Sequence, residues 1–508
     1  APMVHDQAYY QAEKKIEEAL KSGATELNLS NMKLAELPES IGQLTQLKSL
    51  ALDGNQIEEL PDSIANLKNL TSLWLGEKSI GGNPLGQLPE YLRGFKAIEI
   101  LVASKCNLKV LPDWLGEFKK LKKLYFTGNQ ITYLPLTLSQ LDDLKELKLD
   151  SNPLNPELAE AYKQGIDAVK LYLSAGAVIP VYEAKLILIG EGEVGKTCLM
   201  DALLGKEWQE HSSTHGIEIQ QVKVTLDVLD VDEDYEEFGW NKKTEITLNA
   251  WDFGGQRVYR PTHQLFFSAP AVYLVVWKPR EGSQAGQVKE WIQLVKRREP
   301  SAKILVVATH GGPQQRQPDI DRQELWDLFG VETVVDFFFV ESKPDEHGNR
   351  KGIDELKRAI AQVAASLPEV GRSVPKSFAD VRQALQDKGA PYLPLREVLD
   401  ICRAHNMDDE IARLFITISH RLGHLTHYAT DPTLRDIVIL RPDWLATAMS
   451  YVLDDEATRA AHGLVKFSRL AQLWDDKNRA ADSRYPDSLH PIFLRLMERF
   501  DLSYRVAD

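Results

Sequence analysis

The sequence predicts an α/β chain in three parts: a solenoid of short repeats, a phosphate-binding α/β domain, and a mostly helical, winged-helix-like end. Three observations predict it. A leucine template recurs six times between Leu27 and Leu147. The apolar run 184–189 (AKLILI) leads straight into GEGEVGKT at 190–197. Beyond residue 375 the apolar spacing becomes helical, with two short strand-like runs near 425–440.

The repeats come first. Their template is L-x-L-x-x-N-x-L-x-x-L-P, and its copies start at Leu27, Leu50, Leu73, Leu101, Leu124 and Leu147. The starts lie 23 residues apart except for one step of 28, which holds an insertion around Gly81, Gly82 and Asn83. The alternating leucines form a short inward-facing strand. The Asn bridges backbone groups of adjacent coils. Stacked copies bury leucines that a single copy cannot bury. Met32, Lys78 and Cys106 stand at the Asn position in three copies, so an imperfect ladder is expected. This pattern is a leucine-rich repeat solenoid over 27–176. Residues 1–26, helical in spacing at 8–21, cap its first edge, and the helical stretch 157–174 closes the other. The concave face is the expected seat of a protein partner.

GEGEVGKT matches G-x-x-x-x-G-K-[ST] at every fixed position, after a strand and before the helical run 198–204. Gly190, Glu191, Gly192, Glu193, Val194, Gly195, Lys196, Thr197 and Cys198 are therefore candidate nucleotide contacts. Backbone N–H groups of such a loop, with the helix start behind them, concentrate positive potential on a phosphate. Gly190, Gly192 and Gly195 permit the close approach. Lys196 reaches the β- and γ-phosphates as a point charge, and the Thr197 hydroxyl is a hard oxygen ligand for Mg²⁺.

A second phosphate motif follows. Strand 244–250 (TEITLNA) runs into WDFGGQ at 251–256. This resembles the third motif of Ras-like G proteins. The resemblance implies that Asp252 holds the Mg²⁺ shell, the Gly255 N–H senses the γ-phosphate and Gln256 orients the attacking water. Thr214, within HSSTHGI at 211–217, stands where a switch threonine closes over Mg²⁺, with Ser212 and Ser213 as rival donors. With the repeats ahead and a helical extension behind, the chain resembles the Roco family (Ras of complex proteins), in its bacterial type. The resemblance spans nearly the whole chain: repeats, a Ras-like Roc domain at 177–368, and a partial or small COR (C-terminal of Roc) domain at 369–508. It implies Mg²⁺-dependent GTP and GDP binding, slow hydrolysis, and dimerisation through Roc and COR linked to the nucleotide state. Among Arg257, Arg260 and Arg280, the last is the first choice for a catalytic arginine, because it follows strand 272–277 at the phosphate end of the sheet.

Base recognition departs from the G-protein pattern N-K-x-D. Strand 303–308 ends in Thr309, His310, Gly311 and Gly312, so glycine stands at the Asp position. Thr309 and His310 resemble a Roc variant. The last motif, usually S-A-K, reads Glu341, Ser342, Lys343. A lost charge-assisted pair to the base is worth roughly 1.5–3 kcal/mol. Asp319, Asp321 and Glu341 are the carboxylates at hand to replace it. ATP is therefore the alternative nucleotide.

After the linker near 371–375, helical runs at 378–385, 395–404 and 409–421 precede an expected hairpin of 425–428 with 436–440. Balanced charge over 376–425 argues for a protein-contact module rather than a DNA reader. Arg441, Pro442, Asp443, Trp444 and Leu445 resemble a COR segment. His420, His424 and His427 share this region without the carboxylates or cysteines of a zinc site. The acidic run 227–237 (DVLDVDEDYEE) is an expected solvated loop. A net charge of −14 argues against a general nucleic-acid binder. The longest apolar run, 271–277 (AVYLVVW), falls far short of the ~18 residues of a membrane span. Three scattered cysteines, Cys106, Cys198 and Cys402, and no visible secretory signal suit a cytoplasmic location. The expectation is a Mg²⁺-dependent GTPase switch. The alternatives are an ATP-using P-loop NTPase on the same frame, or a repeat scaffold with a barely hydrolysed structural nucleotide.

Overall fold

The computed structural model describes residues 6–211, 217–227, 243–253, 271–279, 285–313, 319–479, 483–499 and 503–506. It comprises two compact units. One is 1–179 with 373–381 and 402–418; the other is 180–372 with 382–401 and 419–508.

In the first unit the cap helix Gln7–Ser22 starts at Asp6, whose carboxylate accepts from the Tyr9 N–H at 2.9 Å. Ala12, Ile16 and Ala19 form its buried stripe. The repeats then lay down parallel strands in chain order, and the template leucines pair one to the next: Leu27 with Leu50, Leu50 with Leu73, Leu73 with Leu101, then Leu124 and Leu147. On the return side Pro38, Pro61, Pro89, Pro112 and Pro135 each precede a 3₁₀ turn. Proline suits that position, since its fixed φ leads into the turn and its missing N–H is not needed there.

The Asn ladder is more complete than the template suggests. Asn55 donates to Leu29 O and Leu52 O and accepts from the N–H groups of Met32 and Leu34. Asn129 repeats this three coils on, and Asn152, four coils on, makes the same two donations and accepts from Ile131 N–H. The third copy was expected to carry Lys78 at this position, and the structure corrects that. Lys78 is exposed, and Asn83 fills the place, donating to Leu52 O at 2.9 Å and Leu75 O at 2.7 Å and accepting from Ile57 N–H at 3.0 Å. The insertion folds back as a short strand, Gly81–Gly82, against Ser72–Glu77, and so delivers Asn83 five residues late. Cys106 is a true substitute, its buried thiol facing Leu75 O at 3.6 Å and Ser104 O at 3.4 Å. The closing stretch 157–174 is two helices, Pro156–Lys163 and Ile166–Leu173, rather than one, because the chain breaks at Gly165.

The second unit holds a six-stranded sheet: β1 Glu183–Ile189, β2 Ile217–Asp227, β3 Lys243–Phe253, β4 Ala271–Trp277, β5 Lys303–Ala308 and β6 Val334–Phe339. The order is β2-β3-β1-β4-β5-β6, and only β2 runs antiparallel to its neighbour. Helices cover both faces. Leu186, Leu188, Leu274 and Val276 face one core, whereas Ile187, Ile189, Tyr273, Val275 and Trp277 face the other. Burial on both sides explains why 271–277 is an unbroken apolar run rather than an alternating one.

Towards the C-terminus, the helices Lys376–Asp387, Leu395–Ala404 and Asp409–Arg421 match the spacing. The expected hairpin is only partly formed. Strand Ile437–Ile439 takes its ladder partner from Tyr392–Pro394, with Leu393 opposite Val438, and meets the earlier run through a single bridge at Thr426. Residues 392–394 lie just before a helix and were too short to show alternation. Helix Pro442–Leu453 follows, with Arg441 paired to Asp443 at 2.7 Å. Trp444 stacks on Tyr392 and packs on Phe493 in a core with Trp474 and Tyr485. His427 faces Arg435 O at 2.9 Å, and its N–H points to the His420 ring at 3.3 Å, so both rings are engaged locally. No helix among the described residues is long and apolar enough to cross a membrane.

Candidate nucleotide-binding site

The site lies where β1, β3, β4, β5 and β6 end. The loop after β1 turns sharply at Gly190, whose φ is +151°. A Cβ there would sit 2.1 Å from Val276 O of β4, so no other residue fits. At Gly192 a Cβ would meet nothing within 4 Å, so that glycine faces open space. Glu193 adopts a left-handed φ of 59° without being glycine, a strained conformation of the sort that concentrates at ligand loops. Gly195 precedes helix Lys196–Leu204, and the N–H groups of a helix's first turn are not used within the helix itself.

Lys196 is buried. Its ammonium donates to Gly190 O at 3.0 Å and Glu191 O at 2.7 Å, so it lies across the loop it serves. Burial lowers its pKa, against the opposing charges of Asp252 and Glu191. The Thr197 hydroxyl donates to Asp252 Oδ2 at 2.6 Å. Asp252, near the end of β3, is fully buried, and its Oδ1 has no hydrogen-bond partner among the described residues. Burial raises its pKa to about 6, with the Lys196 charge and the Thr197 hydrogen bond pulling the other way. A buried carboxylate oxygen lacking a partner, beside a hydroxyl, is a donor set that fits Mg²⁺. Glu191 accepts from the Trp291 indole at 3.2 Å. Cys198 is half-buried, and burial raises its thiol pKa.

Thr309 is buried at the end of β5. Its hydroxyl donates to Val194 O at 2.7 Å, tying this loop to the phosphate loop. His310 follows with a left-handed φ of 56°, its Nδ1 3.0 Å from the Thr309 hydroxyl. Ser342 is buried. The Lys343 ammonium sits 5.0 Å from the centre of the Trp208 ring. Of the carboxylates weighed for the base, Asp321 caps helix Arg322–Phe329 through Glu324 N–H at 3.0 Å, and Asp319 accepts from Ile320 N–H at 2.8 Å. Thr214, Ser212, Ser213, Gly255, Gln256, Arg257, Arg260 and Arg280, with most of the acidic run 227–237, lie outside the described residues.

Two residues were not singled out from the sequence. Trp208 is 40% exposed, a large aromatic beside Lys343 with little packed on it; a lone Trp in the polar stretch after the phosphate helix was the available signal. Asp201 is a buried carboxylate held by His211 at 2.5 Å and Lys206 at 3.3 Å. It fastens His211, the first residue of HSSTHGI, and nothing in its spacing announced that.

Three family models match the chain: Leucine Rich Repeat at 46–67, "Ras of Complex, Roc, domain of DAPkinase" at 185–311, and "C-terminal of Roc, COR-A domain" at 375–508. Among curated relatives, the probable serine/threonine-protein kinase pats1 of Dictyostelium discoideum is 29% identical over 376 residues, 71% of this chain and 12% of that protein. A Roc-COR-CHAT protease of Runella zeae is 25% identical over 359 residues, 67% of this chain and 37% of that protein. The chain thus spans well under half the length of these relatives. A solved structure of Methanosarcina barkeri Roco2 RocCORdC bound to GDP has a TM-score of 0.48 at 24% identity, covering 66% of this chain and 95% of that one. Repeats, a Ras-like Roc domain and a COR-A domain follow one another in this order, so the chain carries the Roc–COR pairing that characterises the Roco family, behind leucine-rich repeats.

Proposed function

We propose that the chain binds GTP with Mg²⁺, hydrolyses it slowly, and transmits the nucleotide state to the segments around the Roc domain. One observation carries the reading: Thr197 and Asp252 meet at 2.6 Å with Asp252 Oδ1 left over, next to a buried lysine resting on loop carbonyls. When phosphate enters, Lys196 exchanges those carbonyls for phosphate oxygens, and the loop N–H groups take the β-phosphate charge. Thr197 and Asp252 would hold Mg²⁺, with Thr214 as a third ligand, and the bound ion would supply charge neutralisation at the phosphate oxygens. Gln256 orients the attacking water, Gly255 senses the γ-phosphate, and Arg280 is the proposed cation for the transferring group. Ser342, Lys343, Thr309 and His310 frame the base, and Trp208 joins them.

The proposed domain boundaries are a cap at 1–26, repeats at 27–176, Roc at 177–368 and a partial or small COR at 369–508. A protein partner on the repeat face and a homodimer through Roc and COR are the proposed contacts. Lys196→Ala is the direct test. Mg²⁺-dependent phosphate release from GTP is expected to fall about a hundredfold or more; unchanged turnover refutes the assignment. Gly312 favours a second reading, in which ATP is accepted, and competition between GTP and ATP for the full chain separates the two.

A further inference from the structure

Guanine presents two neighbouring donors, its N1–H and its 2-amino group. A carboxylate matches both at once. The usual position for that carboxylate is closed in this chain. Gly312 has a φ of +85°, and a Cβ there would lie 2.6 Å from Cγ and 2.9 Å from Cδ1 of the Phe339 ring. An aspartate at 312 would strain the backbone and strike the last residue of β6.

The two base-facing loops run side by side. Val340 N–H donates to Ala308 O at 2.9 Å, and Gly311 N–H donates to Val340 O at 2.9 Å. Glu341 is therefore the next residue along from the bonded pair, across from Gly312. Its side chain is half-buried, and Oε1 accepts from Lys343 N–H at 3.1 Å. That bond turns the carboxylate back along the 341–343 loop, which carries Lys343 and, 5.0 Å from its ammonium, the Trp208 ring. Oε2 accepts no hydrogen bond among the described residues. Asp319 and Asp321 also accept from backbone N–H groups of their own segment, Asp321 as the cap of helix Arg322–Phe329, but neither belongs to the two strand-end loops that pair through Gly311 and Val340.

We propose that Glu341 is the specificity residue of this site: its carboxylate, reaching in from the β6 loop, reads the N1–H and 2-amino group of guanine in place of an aspartate at 312. This rests on the nucleotide-binding reading above. Glu341→Gln tests it, because the amide oxygen can keep the Lys343 N–H bond while the second position becomes a donor. The full chain with Mg²⁺ is titrated with GDP, inosine diphosphate, xanthosine diphosphate and ADP.

The wild type is expected to bind GDP at least about tenfold more tightly than inosine diphosphate, which lacks the 2-amino group, or ADP. In Glu341→Gln, GDP affinity is expected to fall about tenfold to a hundredfold. Xanthosine diphosphate, whose 2-oxo group accepts from the amide, is expected to gain. A Glu341→Gln protein that keeps the wild-type GDP-to-inosine-diphosphate ratio overturns the proposal. So does a wild type that binds GDP and inosine diphosphate alike, a measurement that needs no variant to fold. If the wild type binds none of the four, the phosphate site itself is misread, a failure distinct from lost base discrimination.

Discussion

His424 is half-buried, yet its Nδ1 is sealed from solvent and finds no hydrogen-bond partner among the described residues. Its pKa is lowered well below 6.5, first by burial and then by the charges of Arg382, Arg372 and Lys185. Glu183 also faces this cluster, pairing with Arg382 at 3.1 Å. The sign follows from linkage. The folded ring refuses a proton that the unfolded chain accepts below pH 6.5, so its contribution is fully present above that value and is lost as pH falls. Between pH 7.5 and 5.5 the loss is about 1.4 kcal/mol for one such group. Replacing His424 with Phe should remove that part of the pH dependence, read as the difference between variant and wild type in urea unfolding at the two values. An unchanged difference would mean the ring is protonated in the fold. At this scale the sequence was informative only where a motif fixes spacing. Lys196, Thr197 and Asp252 were legible because two motifs fix their spacing, and the structure brings Thr197 and Asp252 together at 2.6 Å. Trp208 and His424 were not, because their neighbours come from distant elements, and Asp201 was not, because its partners Lys206 and His211 lie in a polar stretch with no periodicity.

Elements were more legible than residues, since a strand or helix is announced by several positions at once. The register of the repeats follows directly from the template, with each leading leucine beside the next. Strand β5 falls where an apolar run is bounded by polar residues. What the pattern misplaced was an element lengthened by insertion. Counting from Leu73 puts Lys78 in the ladder, whereas the folded-back Gly81–Gly82 strand puts Asn83 there. The two predict different mutants. Asn83 is fully buried and makes three hydrogen bonds to backbone groups of adjacent coils. Asn83→Ala leaves the Ile57 N–H unmatched, at roughly 1–3 kcal/mol where water cannot reach it, while Leu52 O keeps the Asn55 amide and Leu75 O keeps the backbone N–H of residue 83. A loss of about 1–3 kcal/mol is expected in chemical unfolding of the repeats. Lys78→Ala, on an exposed side chain, should stay within about 0.5 kcal/mol. Equal effects of the two would contradict the ladder.

On the scale of the whole molecule, the order of motifs showed repeats, then a Ras-like domain, then a helical end, and the family models recover that order. The sequence did not show that the chain comes back to its first unit twice, at 373–381 and 402–418. Long-range returns leave no periodic trace, because each contributes only a few contacts from a helix whose spacing is satisfied anyway. Within that unit, Tyr172 of the closing helix Ile166–Leu173 meets the Phe378 ring edge-on at 5.7 Å, and Phe378 meets Phe415 at 5.1 Å. Phe378 and Phe415 are each 1% exposed. The Ser377 hydroxyl donates to Ala175 O at 3.1 Å. A solenoid needs a cap on its last coil, and here residues more than 200 positions downstream complete it. Phe378→Ala should therefore act on the repeats rather than on the sheet around Lys196. A buried Phe→Ala change costs about 3–5 kcal/mol, and the loss should open the end of the solenoid locally before it unfolds globally. Hydrogen exchange on the full chain gives the readout. Amides of Ile166–Leu173 are expected to exchange faster in the variant, while those of the first strands, near Leu27 and Leu50, and of β4 keep their protection. If the closing helix exchanges as in the wild type, Phe378 does not seal the array, and the cap is complete within 156–174.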